Sequence, residues 1–234
     1  MAFEILKPEW GAERPILGVL FDMDGLVLDS EKLFSRFWRE ACARFGYHMS
    51  YEQSLQMRAL SRERGQQTLH RFFGPDADYT AIRETRIDLM EAFIQENGVA
   101  VKPGIFELLA YLKERGIRTA ITSSSPQERI RSYLGRHGLD TAFDALVSGR
   151  EVPRGKPEPD IYLRGAEVLG LKSENCLALE DAPAGLLSAY RAECLPVMIP
   201  DLDQPDEDTI PLLYAKADSL LDIIPLINAQ NGHR

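Results

Sequence analysis

Residues 16–30 read ILGVLFDMDGLVLDS, and the fold turns on this stretch. Ile16 to Phe21 is an apolar run of strand length, of the kind covered on both faces in a parallel sheet. It stops on two acids, Asp22 and Asp24, and a glycine, Gly25. In open α/β sheets the C-terminal ends of the strands are where ligands bind. Two carboxylates two positions apart at such an end can share one crevice, where their repulsion calls for a cation. Taken alone, D-x-D reads more readily as an acidic turn after a core strand. The later strand ends decide between the two.

Downstream of Ser30 the spacing turns helical. Leu33, Phe34, Phe37, Trp38, Ala41 and Phe45 share a face, and Gly46 can end the turn. Helices are predicted over Arg62–Phe73 and Tyr79–Gln95, separated by Gly74-Pro75 and closed by Asn97-Gly98. No strand pattern interrupts residues 30–98, so an all-helical insert follows the first strand. From Lys102 strand and helix alternate. Pro103 opens a helix whose inner face carries Phe106, Leu109 and Leu112, ending at Gly116. Ile117–Thr122 is a strand, and Ser125-Pro126-Gln127-Glu128 reads as a capping box starting the next helix. Phe143–Val147, Cys176–Leu179 and Val197–Ile199 are further strands. Pro159–Leu169, Ala184–Tyr190 and Ser219–Ile227 are helices, and Pro200–Pro211 is an acidic, proline-rich loop. The alternation predicts an α/β fold, a doubly wound parallel sheet with an inserted α-helical domain.

In that topology the strand ends meet at one edge. The first brings Asp22 and Asp24. The second brings Thr122-Ser123-Ser124-Ser125, a hydroxyl-rich turn at a helix N-terminus suited to an anion. After the third comes Arg154-Gly155-Lys156-Pro157-Glu158-Pro159-Asp160, and the fourth ends on Glu180-Asp181. Carboxylates, an anion cradle and one or two cations suit a phosphate bound beside Mg²⁺.

These four segments, in this order, resemble the haloacid dehalogenase-like superfamily, in its phosphatase and β-phosphoglucomutase-like branch. The resemblance runs from Ile16 onward and includes the helical insert, which matches that family's mobile cap. It implies a Rossmann-like core of residues 1–30 and 99–234 with a cap of residues 31–98. Carried over by position, Asp22 resembles the nucleophile that becomes an aspartyl-phosphate, and Asp24 the general acid/base, with its backbone carbonyl toward the metal. Ser123 and the Ser124 N–H resemble the phosphate grip, Lys156 the lysine that neutralises nucleophile and phosphate, and Glu180 and Asp181 the remaining Mg²⁺ carboxylates. The family often has serine after that acidic pair; this chain has Ala182. Arg62, in Leu60-Ser61-Arg62-Glu63, resembles a cap contact to the far end of a sugar phosphate, though a surface arginine reads the same way. Cap closure about Gly98 and Asp29–Glu31 would exclude water during phosphorylation.

Composition narrows the field. A net charge of −9 argues against a nucleic-acid binder but leaves a small phosphorylated substrate open. Cys42, Cys176 and Cys194 are sparse and odd in number, which predicts reduced thiols. The N-terminus lacks a secretory pattern and no apolar run approaches a membrane span, so a cytoplasmic protein that binds no membrane is expected. His48, His70, His137 and His233 show no ligand spacing. Trp38 and Phe34 read as core.

Within the family, Asp24 argues against dehalogenation, and Lys32 beside an intact D-x-D argues against phosphonate cleavage. In the mutases a cap histidine follows the D-x-D loop by about ten positions. Phe34 stands there in this chain and cannot relay a proton. The expectation is therefore a Mg²⁺-dependent phosphatase of small phosphorylated metabolites, sugar phosphates foremost. A phosphosugar mutase is the alternative, and a non-catalytic binding module the third reading.

Overall fold

The computed structural model describes residues 3–11, 14–58, 60, 62–202 and 204–232. His233 and Ser61 lie outside them. Internal packing divides the chain into two compact units, residues 1–28 with 101–234, and residues 29–100.

The first unit begins with β1 (Phe3–Ile5), a short helix α1 (Pro8–Gly11) and β2 (Gly18–Phe21). The second unit contributes α2 (Glu31–Arg44), α3 (Tyr51–Leu55), α4 (Arg62–Phe73) and α5 (Tyr79–Asn97). The chain then returns to the first unit through α6 (Ile105–Glu114), β3 (Arg118–Ser123), α7 (Gln127–Gly135), β4 (Ala145–Ser148), α8 (Asp160–Val168) and β5 (Cys176–Glu180). It finishes with α9 (Pro183–Arg191), β6 (Leu195–Met198), β7 (Ala215–Ala217) and α10 (Ile223–Asn231).

One seven-stranded sheet has the order β1-β7-β6-β5-β2-β3-β4. Every pairing is parallel except β1 with β7. Central β2 is buried at all four positions, which its unbroken Gly-Val-Leu-Phe reflects. The strand is shorter than the apolar run, because Leu17 is exposed and Ile16 is tied to the C-terminal Asn231. Register sets Phe21 beside Ile121 and Leu179, so one residue on, Asp22 stands level with Thr122 and Glu180. The chain leaves β2 toward β3 on one side and comes back to β5 on the other. The end of β2 is therefore the switch point of the topology, the crevice where such sheets bind ligands.

Two expected helix registers shift. Phe106 is 50% exposed, and α6 buries Ile105, Leu108, Leu109 and Leu112 instead. Gly104, at φ +90°, takes the N-cap position that places Pro103 outside the helix. Ser125 caps nothing: α7 begins after Pro126 with no side-chain cap, and the expected capping box does not form. Helix α9 takes Ala182 as its N-cap residue, with Pro183 in its first turn. The edge strand β1 carries too few residues to show a period, and forms by pairing with β7.

In the second unit α2 packs on α5 around Trp38, Ala41, Cys42, Leu69, Tyr79 and Ile82. Phe45, expected on the inner face, is 40% exposed beyond the end of α2, where Gly46 turns the chain at φ +80°. The Arg86 guanidinium lies over the Phe34 ring at 4.7 Å and the Trp38 ring at 5.5 Å. Helix α3 opens on a capping box: Gln53 N–H donates to Ser50 Oγ and Ser50 N–H to Gln53 Oε1. Replacing Ser50 with alanine should cost about 1 kcal/mol of stability, read from urea melts. The three cysteines are buried and free. Among the described residues no helix is long and apolar enough to cross a membrane.

Candidate active site

Asp22 follows β2 directly, and its N–H donates to Leu179 O at 3.0 Å, extending the sheet ladder by one residue. The carboxylate is therefore aimed by the sheet itself. Lys156, on the loop between β4 and α8, comes from the opposite direction in sequence. Its ammonium donates to Asp22 Oδ1 at 2.5 Å and to Glu180 Oε1 at 2.6 Å. The Lys156–Pro157 peptide bond is cis. Glu180, the last residue of β5, is 1% exposed. Its Oε1 also accepts from the Tyr162 hydroxyl at 2.6 Å, and its Oε2 accepts from Ala182 N–H at 3.4 Å.

Asp22, Glu180 and Asp181 are all buried and each offers a carboxylate oxygen within 4.8 Å of the others. Burial is the largest influence on Asp22. With the Glu180 and Asp24 charges it lifts the carboxyl to about 8, against the downward pull of Lys156. Burial works against the ammonium of Lys156 too, but Asp22 and Glu180 outweigh it and hold the group protonated well above its ordinary range. The cluster thus carries more potential negative charge than one lysine offsets. Its donors are all oxygens, which suits a hard divalent cation. A buried acidic cluster of this make-up fits a metal site.

Asp24 stands one turn further, in a tight loop where Gly25 adopts φ +85° and its N–H donates to Leu28 O. Its carboxylate is outside the three-residue cluster and accepts from Ser125 Oγ at 3.4 Å. Ser125 thereby holds Asp24 in place of the cap role expected of it. Ser123, at the end of β3, is buried, and its hydroxyl accepts from Ser125 N–H at 3.1 Å, keeping its own proton to donate. Ser124 is exposed at the apex of the turn. The end of β4 braces that turn from beneath: Ser148 Oγ donates to Ser125 O at 2.7 Å, and Gly149 N–H donates to Ser123 O at 2.7 Å.

The structure brings together Asp22, Lys156, Glu180 and Asp181, and sets the Ser123–Ser125 turn on the adjacent strand. Arg154 pairs with Asp160 on the surface, Nε to Oδ1 at 3.2 Å and Nη2 to Oδ2 at 2.9 Å. Arg62 belongs to the helical unit, where Nη2 donates to Thr80 Oγ1 at 3.3 Å. Sequence reading misses Tyr162, Gly185 and Ser148. Tyr162 looks like core filler, and it is fully buried, yet its hydroxyl reaches Glu180. Gly185 looks like an ordinary helix residue, but a Cβ there would stand 1.8 Å from Glu180 Oε1. The signal available was the small residue four positions past the acidic pair, which carries no chemistry of its own.

Residues 19–199 match the model of the haloacid dehalogenase-like hydrolases. The chain belongs to that family, in its phosphatase and β-phosphoglucomutase-like branch, and it is an enzyme of the phosphatase kind. It is 36% identical to hexitol phosphatase A of Escherichia coli over 181 residues, covering 76% of this chain and 80% of that protein. It is 27% identical to the β-phosphoglucomutase of Bacillus subtilis over 174 residues, 72% of this chain and 76% of that one. The crystal structure of CbbY from Rhodobacter sphaeroides in complex with phosphate superposes with a TM-score of 0.72 at 25% identity, covering 89% of this chain and 96% of that one.

Proposed function

We propose that the protein is a Mg²⁺-dependent phosphatase of small phosphorylated metabolites, sugar phosphates above all, working through an aspartyl-phosphate on Asp22. The observation that carries this is the Lys156 ammonium at the strand ends, 2.5 Å from Asp22 Oδ1 and 2.6 Å from Glu180 Oε1, two of the three carboxylates that cluster there with Asp181. In the first step Asp22 Oδ attacks phosphorus, the ester P–O bond breaks, and Asp24 gives its proton to the leaving oxygen. In the second, water attacks the same phosphorus, Asp24 takes the water's proton, and Asp22 leaves as a carboxylate. Asp22, the Asp24 carbonyl, Asp181 and Glu180 would hold Mg²⁺, which when bound offsets charge between an anionic nucleophile and an anionic ester. Lys156 and the Ser123 hydroxyl, with the Ser124 N–H, grip the transferring group.

The helical insert, residues 31–98, serves on this reading as the substrate-selecting cap, with Arg62 its candidate substrate contact. The hexitol and carbohydrate phosphatases among the relatives favour sugar phosphates. The named mutase relative favours the alternative, but Phe34, packed under Arg86, has no proton to relay. The compartment we assign is the cytoplasm, in keeping with three buried free thiols.

A panel of sugar phosphates with the purified protein tests the reading. Phosphate should be released with Mg²⁺ and not after chelation. Interconversion of β-glucose 1- and 6-phosphate without release would establish the mutase instead. No reaction on any substrate would leave only the binding module.

A further inference from the structure

We propose that Tyr162 is a positioning residue for phosphoryl transfer: its hydroxyl anchors Glu180, and Glu180 holds the Lys156 ammonium against Asp22. The inference deepens the phosphatase reading and rests on it.

Tyr162 lies on α8, four residues after Pro157-Glu158, and its side chain is wholly enclosed. It packs in the cluster of Leu20, Ala120, Ile161 and Ala178, where a phenylalanine would fill the same space. The hydroxyl adds something phenylalanine lacks. A phenol has one proton to give, and here it goes to Glu180 Oε1 at 2.6 Å. The same oxygen receives Lys156 Nζ at 2.6 Å, and that ammonium also stands 5.1 Å above the Tyr162 ring. The tyrosine therefore touches both members of the pair, the acid through its hydroxyl and the lysine through its ring face.

Gly185 closes on the same carboxylate, where a Cβ would stand 1.8 Å from Oε1. Glu180 is thus pinned between a hydroxyl, an ammonium and a glycine backbone. With its carboxylate unable to swing, Lys156 is left one geometry in which to reach Asp22 as well. A lysine has long, flexible carbon arms and three rotatable donors, so such a restraint is what converts a point charge into an aimed one. Removing the hydroxyl leaves Oε1 with the ammonium alone, and Lys156 is free to follow Glu180 away from Asp22.

The test is a pair of substitutions in two backgrounds, on the full-length protein with Mg²⁺ and the best substrate of the panel. Tyr162→Phe should lower kcat at saturating Mg²⁺ roughly tenfold, with KM unchanged. Gly185→Ala, whose Cβ would displace the Glu180 carboxylate, should lower kcat at least as much. In a Lys156→Arg background, which keeps the charge and loses the aim, Tyr162→Phe should cost less than about twofold more. Wild-type kcat in Tyr162→Phe, or an equal loss in both backgrounds, would overturn the assignment while leaving the phosphatase reading intact. Absence of turnover in the wild-type protein on every substrate would overturn both.

Discussion

Replacing Asp22 with asparagine should reduce phosphate release by roughly 10⁴-fold or more, because a neutral amide cannot form the covalent intermediate and nothing else on the strand end can take its place. Stability should not follow activity down. The asparagine keeps a side-chain oxygen for Lys156 Nζ and the backbone N–H that pairs with Leu179 O, while it removes a charge that burial disfavours. The pH dependence tells the two effects apart. In the unfolded chain Asp22 ionises near its ordinary value, whereas in the metal-free fold it is lifted to about 8. Between those values the folded state holds a proton that the unfolded state has lost. Its contribution to stability is therefore full at acid pH and declines as the pH rises through about 8. The metal-free wild type should lose stability between pH 5 and pH 8 in urea melts, and Asp22→Asn should show a flatter profile. Wild-type turnover in the variant, or a hydroxylamine-sensitive acyl phosphate formed elsewhere, would remove Asp22 from its role.

Lys156→Ala is expected to damage both activity and fold. It strands two buried carboxylates that now share one ammonium, Asp22 at 2.5 Å and Glu180 at 2.6 Å. Breaking a buried ion pair from one side typically costs about 3–5 kcal/mol, far more than a surface pair. Asp22 answers by holding its proton, so the loss should be smallest at pH 5 and grow toward pH 8. That is the same sign as in the wild type, with larger amplitude, since Lys156 is the group that pulls Asp22 downward. Mg²⁺ should recover part of the stability by supplying positive charge to the cluster, but not the turnover. Urea melts at two pH values with and without Mg²⁺, beside a phosphate-release assay, measure all of this. A variant as stable as wild type at pH 8 would show that the ammonium is not needed to hold the acids.

Much of the site was legible because its chemistry is carried at strand ends. Asp22, Lys156 and Glu180 are separated by 134 and 24 positions along the chain, yet each follows or terminates a recognisable element. Local rules failed where two partners competed for one group. Ser125 has the spacing of a helix cap, but its hydroxyl reaches Asp24, from which it is 101 positions away. Phe106 has the apolar character of an inner face, but the angle at which Gly104 starts α6 turns it outward and brings Ile105 in. Tyr162 and Gly185 were illegible for a further reason: one acts through a single atom at the end of a core side chain, the other through an atom it lacks.

From composition and order alone follow the alternation of strands and helices, the helical insert after the first strand, and the delivery of acids, hydroxyls and a lysine to one sheet edge. These depend on periodicity and chain connectivity, which are properties of neighbouring residues. The tertiary structure alone decided which donors meet which oxygens: the ammonium between Asp22 and Glu180, the tyrosine hydroxyl behind it, the serine on Asp24. Hydrogen bonds and ion pairs reach only a few ångströms, so the choice among partners waits until packing has brought distant segments within that range.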